Sequence, residues 1–204
     1  MHFKFFYQNS RLLLFGIIMS FTSSFGQTFF ISLFGPSIQF EYGLSHTSWG
    51  TIYLIGTLLS AIILTYSGSL IDYYRLNFYT YFSVIALVFS CFFISIVSGY
   101  FFLVFAVFLL RQTGQGLTSH ISVTTMARYF SEKRGTAIAI GSLGMAIGEA
   151  ILPFVVIILI SLIGWRLTYF SSSVFILFCL FPVIILLLNG YKETFIEKTA
   201  IIPE

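Results

Sequence analysis

Two charged residues stand where an apolar chain should not tolerate them: Arg111 and Glu149. The surroundings read RQTGQGLTSHISVTTMARYF and then GTAIAIGSLGMAIGEAILP, two stretches joined by a short basic turn over 131–135. A charge at the centre of a membrane helix costs roughly 2.5–3.5 kcal/mol even on translocon-insertion scales. Each therefore needs a compensating role. Successive residues of an α-helix are turned by about 100°, so positions 111, 115, 118, 122 and 125 share one face. They are Arg111, Gln115, Thr118, Ser122 and Thr125. Such a stripe avoids lipid, where each unsatisfied polar group costs several kcal/mol. It either lines a water-filled cavity or bonds to neighbouring helices. His120 falls on the opposite face and reads as a packed histidine.

In the second stretch Ala137, Gly141, Gly144 and Gly148 recur at three- and four-residue spacing. They leave a side-chain-free groove that lets another backbone approach closely, or slide during a conformational change. Glu149 borders the groove, and Pro153 follows one turn later, where its missing N–H favours a kink. At about 1.5 Å per residue, Arg111 lies about 16 Å and Glu149 about 21 Å in from the outer ends of their helices. Their depths overlap and the helices are antiparallel neighbours, so an Arg111–Glu149 ion pair is geometrically possible. It is either a static pair or one that opens when a substrate or a proton arrives.

Two other stretches carry polar residues at mid-depth. Ser20, Ser24 and Gln27 share one face, with Gly26, Thr28 and Ser32 nearby; Tyr53, Thr57 and Ser60 share another. Both can border the same cavity. The turn GSLIDYYRL places Asp72 one helical turn after Gly68, with Arg75 three residues on.

The elements that must hold these residues follow from composition. The chain has 204 residues, 58% hydrophobic and 8% charged, with mean hydropathy +0.98. A soluble domain carries about 25% charged residues, so this is an integral membrane protein whose first partner is the lipid bilayer. A net charge of +3 gives no nucleic-acid signature. Cys91 and Cys179 lie in apolar runs without metal-type spacing, and no cofactor, metal or nucleophile motif is present, so no enzyme is expected.

Apolar runs predict an all-α protein with six spans over about 12–36, 49–71, 78–98, 100–130, 135–163 and 167–188, forming one domain over 1–189. The first run exceeds a signal-peptide core of about 7–15 residues. A polar tail over 190–204 is expected to start a cytoplasmic linker. Lys4, Arg11, Arg75, Arg128, Lys133, Arg134, Lys192 and Lys198 fall on one side and Arg166 on the other, which puts both termini in the cytoplasm.

Taken in order, the motifs resemble the major facilitator superfamily of secondary transporters. Gly68-x-Leu70-x-Asp72 is similar to the start of that family's loop signature between its second and third helices, although Arg75-Leu76 stands where the family has Gly-Arg. Arg111-Gln112-Thr113-Gly114-Gln115-Gly116 resembles its fourth-helix motif, with Gln-Gly one residue later than the usual RxxQG form. Ala127-Arg128-Tyr129-Phe130 with Arg134-Gly135, the run Gly141, Gly144, Gly148 and Pro153, and Trp165-Arg166 resemble the start of the fifth helix, the fifth helix and the start of the sixth. The resemblance implies alternating access for a small organic solute in a bacterial inner membrane. It implies a substrate or proton-coupling role for Arg111 and puts the first, fourth and fifth helices at the cavity wall or the domain interface; on those helices Gln115, Glu149, Gln27, Ser24 and Thr118 are the further candidates for substrate or coupling contacts. It assigns Asp72 to a cytoplasmic gate, for which Gly68, Arg75, Arg128 and Arg134 are the neighbouring candidates. The family has about twelve spans in two halves, so this six-span chain is expected to be the N-terminal half, completed by a missing C-terminal half or a second copy. A non-transporting remnant or assembly partner is the alternative.

Overall fold

The computed structural model describes residues 9–189, and those residues are helical almost throughout. The sequence-based expectations for 1–8 and for the tail over 190–204, including Lys4, Lys192 and Lys198, lie outside the described residues. In lipid every backbone N–H and C=O must be paired within the protein, and an apolar helix meets that condition by itself.

Helices α1 (Ser10–Ser23) and α2 (Thr28–Tyr42) form one 33-residue apolar stretch, interrupted by a 3-10 turn over Ser24–Gly26 and by Gln27 in extended conformation (φ −76°, ψ 156°). The expectation for this region was an unbroken span over 12–36. It is longer, and it is broken at its most polar segment. Gly43 ends α2 in the left-handed region at φ 62°, which glycine adopts without a Cβ penalty. Helix α3 (His46–Ser69) starts three residues before the expected 49, because Ser45 caps it by accepting from the Ser48 amide at 3.0 Å. Helix α4 covers Leu76–Ile96. A long fourth rod follows: α5 (Tyr100–Leu110), a π-helical segment (Arg111–Thr118) and α6 (Ser119–Tyr129).

The last helical stretch, 131–188, has 58 residues. Straight, it would reach about 87 Å at 1.5 Å per residue, nearly three times the ~30 Å hydrocarbon core. Gly164 breaks it inside α7 (Arg134–Phe175) with φ 79° and ψ 166°. Contacts with the first stretch show the chain reversing there. Before Gly164, Gly144 packs on Ile17 and Gly148 on Ser24, so the two rods run parallel. After it, Trp165 bonds Glu41, Tyr169 stacks on Phe34 at 3.8 Å, and the Leu187 carbonyl accepts from Arg11 Nε at 2.9 Å, so they run antiparallel. A second π-helical segment (Ile176–Leu180) leads into α8 (Phe181–Leu188).

Five described stretches are long and apolar enough to cross a membrane: 10–42, 46–72, 76–96, 100–129 and 131–188. The first and fourth are central, 61% buried in their most apolar windows, against 22% for the second. Leu13, Phe15, Met19, Phe30, Ile31, Phe34 and Ile38 of the first stretch are fully buried. Lipid removes most of the hydrophobic drive for helices to associate, so close packing of this kind holds the bundle together.

Both ends of the bundle are tied by polar contacts. At one end Arg166 pairs with Glu41 at 2.7 Å, donates to the Ser95 carbonyl at 3.0 Å and to Tyr42 Oη at 3.0 Å, and lies over the Trp165 ring. At the other end Arg128 pairs with Asp72, Arg134 Nε donates to the Ala127 carbonyl at 2.9 Å, and Arg11 donates to the last carbonyls of α8.

Candidate functional site

The site forms where two irregular segments meet. The break at Ser24–Gln27 lies against the π-helical segment, and the contact is made by two glycines. A Cβ on Gly26 would stand 2.1 Å from the Leu110 carbonyl oxygen; one on Gly114 would stand 2.5 Å from Gly26 Cα. No residue with a side chain fits at either position.

Three consecutive residues at the start of the π-helical segment reach three different neighbours. Arg111 Nη1 donates to Thr28 Oγ1 at 3.1 Å and lies 3.5 Å from the Gly26 carbonyl oxygen, both in the first stretch. Gln112 bridges α3, where its Nε2 donates to Ser67 Oγ at 2.7 Å and its Oε1 accepts from Ser60 Oγ at 3.1 Å. Thr113 Oγ1 pairs with Ser90 Oγ of α4 at 3.1 Å. A π-helical turn holds about one residue more than an α-helical turn, and such turns gather at functional sites. Here the wider turn spreads adjacent side chains onto separate helices.

Arg111 is only 8% exposed. Its guanidinium sits 5.6 Å from the Tyr53 ring centroid, within cation–π range. Tyr53 Oη donates to Thr28 Oγ1 at 2.9 Å. Arg111 Nε is buried without a partner, and no acid pairs with Arg111 among the described residues. Beside this group lies a shallow cavity of about 200 Å³, lined by Thr28, Ser32, Trp49, Gly50 and Tyr53.

The Arg111–Glu149 ion pair that depth alone allows does not form among the described residues, and the first stretch is the reason. Gly148 packs on Ser24 of that stretch, whereas Arg111 reaches Gly26 and Thr28. Ser24 and Gly26 are two residues apart and so face roughly opposite sides of their turn. The first stretch stands between the two charges. Glu149 is exposed on α7.

The polar stripe divides. Arg111 and half-buried Gln115 lie at the Gly26–Gly114 contact, and Gln115 Oε1 is buried without a partner. Thr118, Ser122 and Thr125 are buried. Thr118 Oγ1 donates to the Gly114 carbonyl at 2.6 Å, and Ser122 Oγ donates across to the Gly16 carbonyl at 2.8 Å. In this lower half Ser122 ties the fourth rod to α1, whereas the Thr118 bond stays within the rod and Thr125 Oγ1 is buried without a partner. Ser24 is buried with its hydroxyl unpaired, and Gln27 is half-buried at the break. His120 packs 3.7 Å from the Cβ position of Gly68.

The glycine run of α7 is fully used inside this chain. A Cβ on Gly144 would lie 1.8 Å from the Ile17 carbonyl oxygen, one on Gly148 2.2 Å from Ser24 Oγ, and one on Gly141 3.0 Å from Met126 Cγ. The groove packs on α1 at Gly144, on the turn after it at Gly148 and on α6 at Gly141. Pro153 lies inside α7, half-buried. At the basic end, exposed Asp72 meets Arg128, which links the turn after α3 to the end of α6. Arg75 is exposed in the same turn.

The sequence pattern did not single out Gly26 and Gly114 as a contact, nor Gln112, Thr113 and Trp49. Its one signal for them was the density of small and polar residues in FGQTFF and RQTGQG. Among known families, the Major Facilitator Superfamily profile matches residues 16–200. No curated protein matches the chain.

Proposed function

We propose a transport mechanism for this chain, which belongs to the Major Facilitator Superfamily and is a multi-pass membrane transporter, not an enzyme. The chain acts as the N-terminal six-helix half of a secondary active transporter in a bacterial inner membrane. Its passes are the five long stretches with the last folded at Gly164, and the excess of Lys and Arg around Asp72 assigns that end to the cytoplasm. A small organic solute, by preference an anion, moves by alternating access. A C-terminal half or a second copy closes the cavity from the other side; halves of this fold insert in the same orientation.

One observation carries this reading. Arg111 is buried at mid-span beside a helix break, held by neutral groups only, with part of its donor capacity unspent. Unpaired ionisable groups inside a membrane mark substrate or ion pathways, and a broken helix gathers exposed backbone groups around such a site. Gln115, Gln27, Ser24 and Thr118 surround the same break, with Glu149 across it. Gly68, Asp72, Arg75, Arg128 and Arg134 form the cytoplasmic gate, in which the Asp72–Arg128 pair breaks on inward opening.

Cysteine accessibility tests this. Ser32 is exposed on the cavity wall. In a Cys179→Ser background, Ser32→Cys is expected to react with a membrane-impermeant maleimide added to right-side-out vesicles and also to inverted vesicles. Labelling from a single face, or from neither, rules out alternating access at this cavity.

A further inference from the structure

Thr28 Oγ1 accepts two hydrogen bonds, from Arg111 Nη1 and from Tyr53 Oη. A hydroxyl has two lone pairs and one proton. Both lone pairs are taken, so the proton is left to donate outward, and Thr28 is exposed with no acceptor for that proton among the described residues. On Arg111, Nη1 is engaged and Nε is enclosed, while Nη2 has no partner among the described residues. Two donors that lack an acceptor, one of them charged, thus meet at the Arg111–Thr28 hydrogen bond; Thr28 stands in the cavity wall, and Arg111 lies behind it, 8% exposed. A carboxylate has two oxygens in one plane and is the matching acceptor.

Charge limits the ligand further. Arg111 supplies one positive charge, and Glu149 lies beyond the first stretch. A second negative charge would remain uncompensated in a site of low dielectric. The cavity is about 200 Å³, with the rings of Trp49 and Tyr53 in its wall, which suits a short ligand with an apolar body. Resting on the reading of Arg111 as a substrate contact, we propose that Arg111 Nη2 and Thr28 Oγ1 together seat the carboxylate of a small monocarboxylate, with its carbon chain against Trp49 and Tyr53.

Trp49 reports the ligand. The full chain, purified in detergent, is titrated at pH 7 with propionate while tryptophan emission is followed; the signal from the site is the part lost in Trp49→Phe. Propionate is expected to give a saturable change. Propionamide, which has the same shape without the charge, gives none over the same range, and succinate binds at least about tenfold more weakly. Thr28→Val weakens propionate about tenfold by removing one charge-assisted hydrogen bond, Thr28→Ser restores it, and Arg111→Gln abolishes it. Equal binding of propionate and succinate, or an unchanged affinity in Thr28→Val, overturns the two-donor seat while leaving Arg111 as a substrate contact. Unchanged affinity in Arg111→Gln overturns both. No response of Trp49 to propionate overturns the seat. The exposed Thr28 variants decide the matter if Arg111→Gln fails to fold.

Discussion

Gly26 and Gly114 touch backbone to backbone, with the break in the first stretch pressed into the π-helical segment of the fourth. This contact brings Arg111 to Thr28, because both residues lie within three positions of it. Alanine at Gly26 would put a methyl group 2.1 Å from a carbonyl oxygen, and neither partner is a movable side chain. Gly26→Ala and Gly114→Ala are each expected to cost on the order of 3 kcal/mol or more. They should lower the thermal midpoint in detergent and remove the Trp49 response to propionate. Gly135, inside α7 with nothing within 4 Å of its Cβ position, is the control. Gly135→Ala should be neutral or stabilise by up to about 1 kcal/mol through helix propensity.

The glycine groove of α7 yields a sharper test, since its two closest contacts differ in kind. Gly144 faces the Ile17 carbonyl, which cannot move aside; Gly148 faces the Ser24 hydroxyl, which can be removed. Gly148→Ala is expected to destabilise the protein, and Ser24→Gly is expected to recover most of that loss in the double variant. For Gly144→Ala no side-chain change at the first stretch should help. Thermal unfolding of the four proteins of the Gly148/Ser24 cycle measures the coupling.

The helical bundle was legible because lipid imposes one rule on the backbone and the apolar runs follow it. The close packing at Gly141, Gly144 and Gly148 was legible because a glycine run in such a helix has few explanations. The Arg111–Glu149 pair failed for a reason that linear depth cannot encode: two residues at equal depth can still have a helix between them. The π-helical segment was half legible. Gln-Gly follows Arg111 one residue later than in the superfamily's usual spacing, and a π turn absorbs about one extra residue. Composition does not distinguish that solution from a shifted α-helix. The break at Gln27 was hidden because Ser24, Gly26 and Gln27 also suit a cavity-facing α-helix.

Gln112 ties the rotation of the fourth rod to α3. It is 6% exposed, and both ends of its amide are satisfied by Ser60 and Ser67. Gln112→Leu keeps the volume but leaves Ser60 Oγ without its acceptor. A loss of about 1–3 kcal/mol is expected for such an orphaned buried group. Ser60→Ala should lose less, because Gln112 keeps its bond to Ser67. In the Gln112→Leu, Ser60→Ala double variant the penalty should shrink, since no unpaired hydroxyl remains there. Thermal midpoints of the three proteins check the order.

The Asp72–Arg128 and Glu41–Arg166 ion pairs, at opposite ends of the bundle, should behave differently under mutation. Asp72–Arg128 joins side chains that are 53% and 30% exposed, so solvent screens it. Asp72→Asn is expected to cost under about 1 kcal/mol, falling further as salt is raised. Glu41 does more than pair with Arg166. Its Oε2 accepts from Trp165 Nε1 at 2.6 Å and its Oε1 from Arg166 Nε at 3.0 Å, which fastens the turn at Gly164 to the end of α2. Glu41→Gln keeps one oxygen, which can still accept from Trp165, but turns an NH2 donor towards the Arg166 donors, so it should cost more than Asp72→Asn. Glu41→Ala also strands the Trp165 N–H, which is 6% exposed as a residue, and adds about 1–3 kcal/mol. Thermal unfolding at low and high salt separates the two terms: the charge part shrinks with ionic strength, and the Trp165 part does not. Equal losses for Glu41→Gln and Glu41→Ala would mean that the Trp165 hydrogen bond contributes nothing to holding that turn.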